Sequence, residues 1–354
     1  MRVLILWTHL SGYMRACLDN LGWAQAVDLH VVYMPPSSSA AFHDGEVAPL
    51  AAMSYSLTPD LDLRALHDRL QPDVLIVCSW HVTAYRRVAR RSRALRILAM
   101  DNQWLGTPRQ RLGILVSPWL LRPAYDRALV PGDRAAQFAS KLGFRQDAIW
   151  RGSYSGDVSA FLAPVEDQSS EERGFLFVGR LVPEKGVDVL VDAYAEYRSA
   201  VPAPWGLTVC GTGPLVDRVR AATGVEHLGF VQPSGLPRVF HRAGAFVLPS
   251  RFEPWGVVIH EACAAGLPII CSSVCGAVPS LVEDHWNGLI VEPGSVTSLA
   301  LAMRRLHLMD DTQGREMGRR SADVANRYTP ERWAQSLIGH LEWERALGAP
   351  VTAR

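Results

Sequence analysis

The chain has 354 residues, of which 48% are hydrophobic, and this length suffices for two domains that each have a core. Its formal net charge of +1 gives no overall field that would attract nucleic acid, so we expect no nucleic-acid partner. The six cysteines show no Cys-x-x-Cys spacing, which indicates buried thiols in a reducing compartment. The apolar N-terminal run is too short for a signal peptide, and no segment reaches the ~20 apolar residues of a membrane span. We therefore expect a cytoplasmic protein.

Short β-rich runs alternate with helical patterns along the chain, which predicts parallel sheets covered by helices on both faces. A polar stretch at 163–173 separates two sets of runs and predicts two doubly wound, Rossmann-like domains, at 1–165 and 166–328. A last helix, Pro330–Leu347 in the segment 329–354, is expected to pack back on the N-terminal domain. The predicted strands are Val3–Leu6, Leu29–Tyr33, Val74–Val77, Ile97–Ala99, Arg127–Val130, Phe175–Val178, Leu207–Cys210, Ala245–Leu248, Ile269–Cys271 and Gly288–Val291.

The N-terminal half carries the basic residues in excess. Residues 1–160 contain 18 Lys and Arg against 13 Asp and Glu, and the rest of the chain contains 18 against 22. The excess comes from AYRRVARRSRALR, in which the arginines from Arg86 to Arg96 have no acid among them. Such a run is usually a solvated helix face, and the functional alternative is a docking surface for anionic lipid head groups or an anionic acceptor. The second interpretation predicts peripheral contact with the cytoplasmic face of a membrane.

The first motif of chemical interest is FLFVGRLVPEKGVDVL, in which a strand ends at Gly179 and a helix begins near Gly186. A helix N-terminus offers unpaired N–H groups, and Arg180 and Lys185 add two cations, so the segment is suited to a diphosphate. At about 4 Å and an effective dielectric of about 20, each cation would contribute roughly 4 kcal/mol before desolvation. The alternative is a solvated loop in which Glu184 pairs with a basic residue.

The second motif, VCGTGPL, ends a predicted strand with Gly211 and Gly213 before the next helix. Glycines at such a turn let the backbone approach a ligand closely, because no Cβ is in the way. A tight strand-to-helix turn without a ligand has the same sequence, so both interpretations stay open. A later segment, WNGLIVEPG, predicts a turn and a short strand that closes the edge of the sheet.

The third motif is RFEPWGVVIHEACAAGLP, which places Glu253 in a loop after a strand and Glu261 in the following helix. We expect this helix to begin near Gly256, so that the amides of 255–258 form a second anion-binding helix start. A carboxylate repels a diphosphate, so the two glutamates would instead bind hydroxyls of a ribose or a hexose. In the alternative, Glu253 only complements the helix dipole and Glu261 lies on the surface.

Together, GRLVPEKG, CGTGP, FEPWGVVIHEACAAGLPI and NGLIVEPG resemble, in order and spacing, the motifs of retaining glycosyltransferases of glycosyltransferase family 4. The resemblance is close over residues 174–345 and loose over 1–170. It implies a GT-B fold of the α/β class, in which two Rossmann-like domains face each other across a cleft. It also implies that the C-terminal domain binds a nucleoside diphosphate sugar and that the acceptor binds on the N-terminal side.

The resemblance further implies a role for each matching residue. Arg180 and Lys185 would hold the diphosphate without a metal or other cofactor. Glu253 would approach the transferred sugar, and Glu261 would bind the ribose hydroxyls. The implied catalytic residues are Arg180, Lys185, Glu253 and Asp101, and the implied donor-binding residues are Gly12, Gly179, Arg180, Lys185, Gly211, Gly213, Phe230, Glu253, Trp255, Gly256, Val257, Val258 and Glu261.

The N-terminal half and the sugar-facing loop differ from the family pattern. Gly12 matches the family's glycine whose amide approaches the phosphates, but ILAMDNQW has Asp101 where the family often has a histidine. We expect Asp101 to bind an acceptor or donor hydroxyl rather than to act as a base, and His81 is an alternative cleft residue. In the loop that often has the pattern Gly-Gly-x-Pro-Glu, this chain has Cys275 and Ser280 at the first and last positions.

The sequence therefore predicts a carbohydrate-biosynthetic enzyme that transfers a sugar from a nucleoside diphosphate to an acceptor hydroxyl, with retention at the anomeric carbon. The departing phosphate would take the acceptor's proton, so that the protein supplies positioning and charge stabilisation. Two alternatives stay open. One is an inverting transferase or a nucleotide-sugar epimerase on the same fold, and the other is a non-catalytic module that retains the nucleotide pocket.

Overall fold

The computed structural model describes residues 1–34, 50–58, 60–162 and 173–347, which form two compact units. The first unit comprises Met1–Asp157 together with Tyr328–Arg354, and the second comprises Val158–Arg327. The polar stretch on which the predicted domain boundary rests lies, at 163–172, outside the described residues. Each unit is built on one parallel sheet.

The first unit is built on a seven-stranded, all-parallel sheet in the order β3-β2-β1-β4-β5-β6-β7. One face of this sheet packs on α2, α3 and α5 through a core that includes Leu4, Leu75, Tyr85 and Phe138. Helices α1 and α13 pack against each other. The elements are β1 Arg2–Leu6, α1 Gly12–Gly22, β2 Asp28–Tyr33, β3 Met53–Ser56, α2 Leu63–Leu70, β4 Val74–Cys78, α3 Thr83–Arg91, β5 Leu95–Ala99, α4 Pro108–Leu120, β6 Arg127–Val130, α5 Asp133–Lys141, β7 Ile149–Arg151 and α13 Pro330–Ala346.

The second unit is built on a six-stranded, all-parallel sheet in the order β10-β9-β8-β11-β12-β13. Its inner strands are runs of buried apolar side chains, as expected where helices cover both faces. The elements are β8 Gly174–Val178, α6 Val187–Ala200, β9 Gly206–Cys210, α7 Val216–Ala221, β10 Val225–Gly229, α8 Leu236–His241, β11 Ala245–Leu248, α9 Val257–Ala264, β12 Ile269–Ser272, α10 Val278–Leu281, β13 Gly288–Val291, α11 Val296–His307 and α12 Asp311–Ala325.

All ten predicted strands are confirmed, and the three strands that the sequence pattern missed lie at sheet edges. These are β3, β7 and β10, of which β3 is mostly exposed and β10 alternates between partly buried and exposed residues. An edge strand lacks the continuous apolar run that identifies an inner strand, because part of it faces water. The prediction that WNGLIVEPG forms an edge strand is also confirmed, by β13.

Helix ends follow the capping residues that the sequence provides. The last helix, α13, begins at Pro330 as predicted, and the Thr329 hydroxyl accepts the amide of Arg332 at 3.3 Å. Asp62 caps α2 in the same way through the amides of Arg64 and Ala65. None of the helices in the described residues combines the length and the apolar character needed to cross a membrane.

Candidate functional site

The second sheet has a topological switch point between β8 and β11. From β8 the chain proceeds outward through β9 to β10, then returns to β11 on the other side of β8 and proceeds through β12 to β13. In open parallel sheets, ligands bind at the carboxyl ends of the strands beside such a point. The loops that leave β8 and β11 there are 179–186 and 249–256. They contain six of the predicted site residues, including the two that the structure brings into direct contact.

That contact is an ion pair between the Lys185 ammonium and the Glu253 carboxylate. Lys185 ends a short 3₁₀ turn, Pro183–Lys185, and Gly186 then adopts a left-handed conformation with φ of 68° before α6 begins. Glu253 is buried, and the Ser250 hydroxyl approaches its Oε2 at 3.5 Å. Charged groups with little exposure are stable only when they are paired. The fold therefore holds two opposite charges together at the switch point.

Backbone hydrogen bonds tie the two loops to each other and to the loop after β12. The carbonyl of Glu184 accepts the amides of Arg251 and Phe252 at 2.8 and 3.1 Å. The carbonyl of Glu253 accepts the amide of Gly276 at 3.0 Å. A Cβ on Gly276 would overlap the carbonyl oxygen of Pro254, so this approach requires glycine. The loops after β8, β11 and β12 are thus hydrogen-bonded to one another around the ion pair.

Arg251 and Asp188 add a side-chain tie that the sequence analysis did not identify. The Arg251 guanidinium donates to both carboxylate oxygens of Asp188, at 2.6 and 2.7 Å, and to the carbonyl of Pro183 at 2.9 Å. This guanidinium lowers the pKa of Asp188. A signal was present in the sequence, since Arg251 is two residues before Glu253 and Asp188 is three after Lys185, but only the fold shows that the loops adjoin.

Arg180 lies on the same edge and is exposed. Within 1–34, 50–58, 60–162 and 173–347, its guanidinium has no ion-pair partner, and Glu184 does not pair with a basic residue. The alternative in which Glu184 neutralises this loop through a basic partner is therefore wrong for the described residues. The loop presents Arg180 to solvent and Lys185 to Glu253.

The start of α9 is close to its predicted position. The helix begins at Val257, and Gly256 before it has φ of 96°, a conformation that glycine adopts without strain. The amides of Gly256, Val257 and Val258 donate to no acceptor in the described parts of the chain. Trp255 is buried, with 4% of its surface exposed. The N–H groups of this helix start, which lie at buried or partly buried residues, are suited to an anionic group.

Glu261 lies in the second turn of α9 and is partly buried. Burial raises the pKa of its carboxyl from 4.5 to about 7. Desolvation favours the neutral acid, and hydroxyl groups that donate to the carboxylate would favour the charged form. Glu261 is therefore partly buried and not a fully exposed residue, in contrast to the alternative that places it on the surface.

The predicted glycines at the ends of β8 and β9 are packed against each other. Gly211 has φ of 136° and Gly213 has φ of 154°. A Cβ on Gly211 would overlap the carbonyl oxygen of Gly179, and one on Gly213 would press on that of Leu181. Glycine is thus required for the close contact of two strand-end loops within the unit, which is the tight-turn interpretation. Phe230 follows β10 directly and is partly buried.

The first unit has its switch point between β1 and β4. Two of its predicted site residues are more exposed to solvent than Lys185 and Glu253 of the second unit. Gly12 is the first residue of α1, is exposed, and a Cβ added to it would meet no atom within 4 Å. His81 is exposed in the loop between β4 and α3. Asp101 follows β5 and is partly buried. The structure therefore places the three residues at the strand ends of the first sheet.

Asp101 belongs to a cluster with Tyr13, Cys78 and Tyr154. Burial raises the pKa of each of these three groups, and the Asp101 carboxylate adds to the rise in all three. The rings of Tyr13 and Tyr154 lie 5.7 Å apart. The cluster gives Asp101 neighbours that stay protonated and are able to donate hydrogen bonds. No group of three His, Cys, Asp or Glu side chains suited to a metal ion occurs in the described residues.

Solved structures share the fold of this chain. Sucrose-phosphate synthase from Thermosynechococcus elongatus superposes with a TM-score of 0.77 at 17% identity, covering 98% of this chain and all of that one. The Anabaena protein HepE in complex with UDP superposes with a TM-score of 0.75 at 16% identity, covering 97% of this chain and all of that one. The two Rossmann-like units thus share the fold of glycosyltransferase structures, which confirms the predicted fold class.

Sequence comparison is more specific for the second unit. The sequence model of the family "Glycosyl transferases group 1" matches residues 172–308. An uncharacterised glycosyltransferase of Methanocaldococcus jannaschii is 32% identical over 177 residues, which are 48% of this chain and 44% of that protein. The chain spans less than half the length of the first curated relatives it matches. The family match includes every predicted site residue of the second unit.

Proposed function

We propose that the protein is a retaining glycosyltransferase of family 4 that transfers a sugar from a nucleoside diphosphate to an acceptor hydroxyl. The observation that carries this proposal is the Lys185–Glu253 ion pair at the switch point of the second sheet. It lies where the loop that contains Arg180 meets the loop that leads into α9. The cations, amides and carboxylates of these two loops and of α9 are together suited to a ligand that has a diphosphate and several hydroxyl groups.

In this proposal the second unit binds the donor. Arg180, Lys185 and the amides of Val257 and Val258 neutralise the diphosphate, and each cation contributes roughly 4 kcal/mol at about 4 Å before desolvation. Glu261 accepts hydrogen bonds from the ribose hydroxyls. Glu253 is directed to the transferred sugar. Phe230 and its neighbours after β10 contact the base.

The reaction breaks the bond between the anomeric carbon and the diphosphate oxygen and forms a bond from that carbon to the acceptor oxygen on the same face. The acceptor hydroxyl gives its proton to the departing phosphate, so the enzyme supplies charge stabilisation instead of a dedicated base. Because Arg180 and Lys185 stabilise the leaving group, we propose that no metal or other cofactor is needed. For the first unit, we propose Gly12 and Asp101 as contacts to the phosphates and to a hydroxyl, respectively.

The donor search should begin with UDP-sugars, since HepE was solved with UDP and with UDP-glucose. Thermal-shift measurements with UDP-, GDP- and dTDP-sugars identify the donor, and Arg180→Ala should reduce the shift. Arg238→Ala, on α8 of the same unit, serves as a matched control. Binding of no nucleotide sugar would overturn the proposal.

Product analysis then separates the alternatives. With the donor and an acceptor panel, NMR of the product's anomeric centre should show the donor's configuration. An inverted product would identify an inverting transferase, and a changed sugar without transfer would identify an epimerase. Nucleotide binding without turnover across the panel would favour a non-catalytic module. Unchanged turnover of Arg180→Ala and Lys185→Ala would refute the assigned roles.

We also propose that the protein acts in the cytoplasm and that the basic segment from Arg86 to Arg96 contacts an anionic membrane. Four of its arginines, Arg87, Arg90, Arg91 and Arg93, are exposed. Arg96, in contrast, is held by both oxygens of Asp126. Sedimentation with phosphatidylcholine vesicles, with and without phosphatidylglycerol, tests the contact, and equal binding to both would refute it.

A further inference from the structure

Helix α4 of the first unit, Pro108–Leu120, carries an apolar stripe on its solvent side. Leu112, Leu115 and Trp119 are 58%, 65% and 69% exposed. With 3.6 residues per turn, they fall within about 60° of one another around the helix axis. Their opposite side is buried, through Gly113 and Ser117. The stripe is therefore a continuous apolar surface, in contrast to the scattered exposed hydrophobic residues that any protein has.

Basic residues flank this stripe on both sides. Arg109 and Arg111 are exposed and lie to either side of it on the same helical projection. From Val74 to Tyr125 the chain contains nine arginines and a single acid, Asp101. The segment that contains α3 and α4 therefore carries a large excess of positive charge.

The basic helix α3 and the apolar helix α4 lie in the same layer of the first unit. Side chains of both pack on one hydrophobic core, Tyr85 and Val88 from α3 and Ile114 and Leu120 from α4. Arg86 donates to the carbonyl of Trp80 at 2.8 Å. A Cβ on Gly113 would lie 3.9 Å from the ring of Trp80. Trp80 thus lies between the two helices, with Arg86 of α3 on its carbonyl and Gly113 of α4 beside its ring.

We propose that α4 is a membrane-insertion element, in which Leu112, Leu115 and Trp119 enter the interface of an anionic bilayer while the arginines of α3 and α4 bind lipid phosphates. Helices that lie in a membrane interface combine an apolar face that includes Trp and Leu with a basic polar face. An apolar insertion and a basic patch together give the two signals that reversible binding needs to become stable. This inference rests on the basic contact proposed above and is independent of the transfer reaction.

Vesicle sedimentation of the full chain tests the insertion. We expect binding to vesicles of phosphatidylcholine and phosphatidylglycerol in equal parts, and much weaker binding to phosphatidylcholine alone. The double variant Leu115→Gln/Trp119→Gln should weaken binding about tenfold or more, because two large apolar side chains no longer leave water. Arg90→Gln/Arg91→Gln should weaken it about twentyfold at low salt and less at high salt.

Matched controls are available elsewhere in the chain. Trp343 on α13 is 65% exposed, and Trp343→Gln should leave vesicle binding unchanged. Arg304 and Arg305 are exposed in the last turn of α11, as Arg90 and Arg91 are in that of α3, and Arg304→Gln/Arg305→Gln should leave it unchanged as well. The depth of insertion is measured by quenching of tryptophan fluorescence with brominated phosphatidylcholine. Trp119→Phe should remove part of this quenching without abolishing vesicle binding.

These measurements separate insertion from electrostatic docking and from self-association. Loss of binding in the arginine pair but not in Leu115→Gln/Trp119→Gln would overturn insertion and leave the electrostatic contact. No binding to any vesicle would overturn both. Self-association by analytical ultracentrifugation that Leu115→Gln/Trp119→Gln abolishes, without vesicle binding, would assign the stripe to a second copy of this chain. Equal losses in the control variants would show a non-specific surface effect and would also overturn the proposal.

Discussion

The two switch points of the molecule are built in opposite ways. In the second unit, the loops after β8, β9, β11 and β12 are held together by an ion pair, by carbonyl-to-amide hydrogen bonds and by glycines that fit against neighbouring backbone. In the first unit, Gly12 has open space around it and Asp101 lies among hydroxyl and thiol groups. The second site is pre-organised around charge, whereas the first is open and carries one carboxylate.

This difference indicates a division of tasks. A site that stabilises a charged leaving group gains from fixed cations and dipoles, because no reorganisation is then needed during the reaction. A site that accepts varied hydroxyl compounds gains from open space and neutral donors. Under the proposed function, the second unit would hold the invariant part of the donor, and the first would contribute to acceptor choice.

The largest effect should come from breaking the ion pair. Lys185→Met removes the lysine that pairs with the buried Glu253 carboxylate and should cost about 3 kcal/mol in the free energy of unfolding. The double variant Lys185→Met/Glu253→Gln removes both charges and should recover most of that loss. Urea denaturation measures both. Lys141→Met, an exposed lysine on α5, is the control and should cost under about 1 kcal/mol. If Lys185→Met and Lys141→Met had the same free energy of unfolding, a tightly coupled Lys185–Glu253 pair would be contradicted.

A second comparison uses one glycine-to-alanine substitution in each unit. Gly211→Ala must place a Cβ against the Gly179 carbonyl in a left-handed conformation and should cost on the order of 3 kcal/mol. Gly12→Ala adds its Cβ to open space and should change the free energy of unfolding by less than about 0.5 kcal/mol. If the amide of Gly12 contacts the phosphates, Gly12→Ala should nevertheless weaken donor binding. Normal donor affinity in this variant would remove Gly12 from the site.

The pH dependence of stability tests the buried environment of Glu261. Its folded pKa is about 7, above the unfolded value near 4.5, so its contribution is most favourable below the unfolded value. This contribution is lost as the pH rises through about 7, and amounts to at most about 3 kcal/mol. Glu261→Gln should remove this dependence, as urea denaturation at pH 5 and pH 8 would show. If the free energy of unfolding falls equally from pH 5 to pH 8 in the wild-type protein and in Glu261→Gln, a group other than Glu261 is titrating.

Nucleotide affinity should show the reverse trend if Glu261 accepts ribose hydroxyls as a carboxylate. Affinity should then increase as the pH rises through about 7, because the bound state uses the charged form. Isothermal calorimetry with the nucleotide at pH 6 and pH 8 measures this, and Glu261→Gln should flatten the profile. An affinity that falls over the same range would contradict the role.

The smallest effect should come from the Arg251–Asp188 tie. Both side chains are more than a quarter exposed, so Asp188→Asn should cost less than about 1 kcal/mol in stability. The depressed pKa of Asp188 means that this contribution is present above the unfolded pKa and is lost as the pH falls. If the tie positions the Lys185 loop, Asp188→Asn should lower kcat more than it raises KM. Asp192→Asn, whose carboxylate binds Arg218 on the same unit, is the control.

The sequence by itself determined the parallel α/β architecture, the ten strands with apolar runs and the starts of α6, α9 and α13. Each of these depends on local information, namely the side-chain pattern of a strand or the residue that caps a helix. The family resemblance identified the residue types of the second site from their order along the chain. It assigned Lys185 and Glu253 to different parts of one ligand.

Only the tertiary structure decided which of these residues touch. Lys185 and Glu253 are 68 positions apart along the chain. They meet because β8 and β11 are neighbours in the sheet, and neither motif specifies that strand order. Tertiary structure also decides the contacts of Arg251 with Asp188 and of Gly211 with Gly179. It decides the high pKa of Glu261 as well, because burial around α9 causes it. Patterns along the chain specify elements, but contacts and desolvation between distant elements arise when the sheet forms.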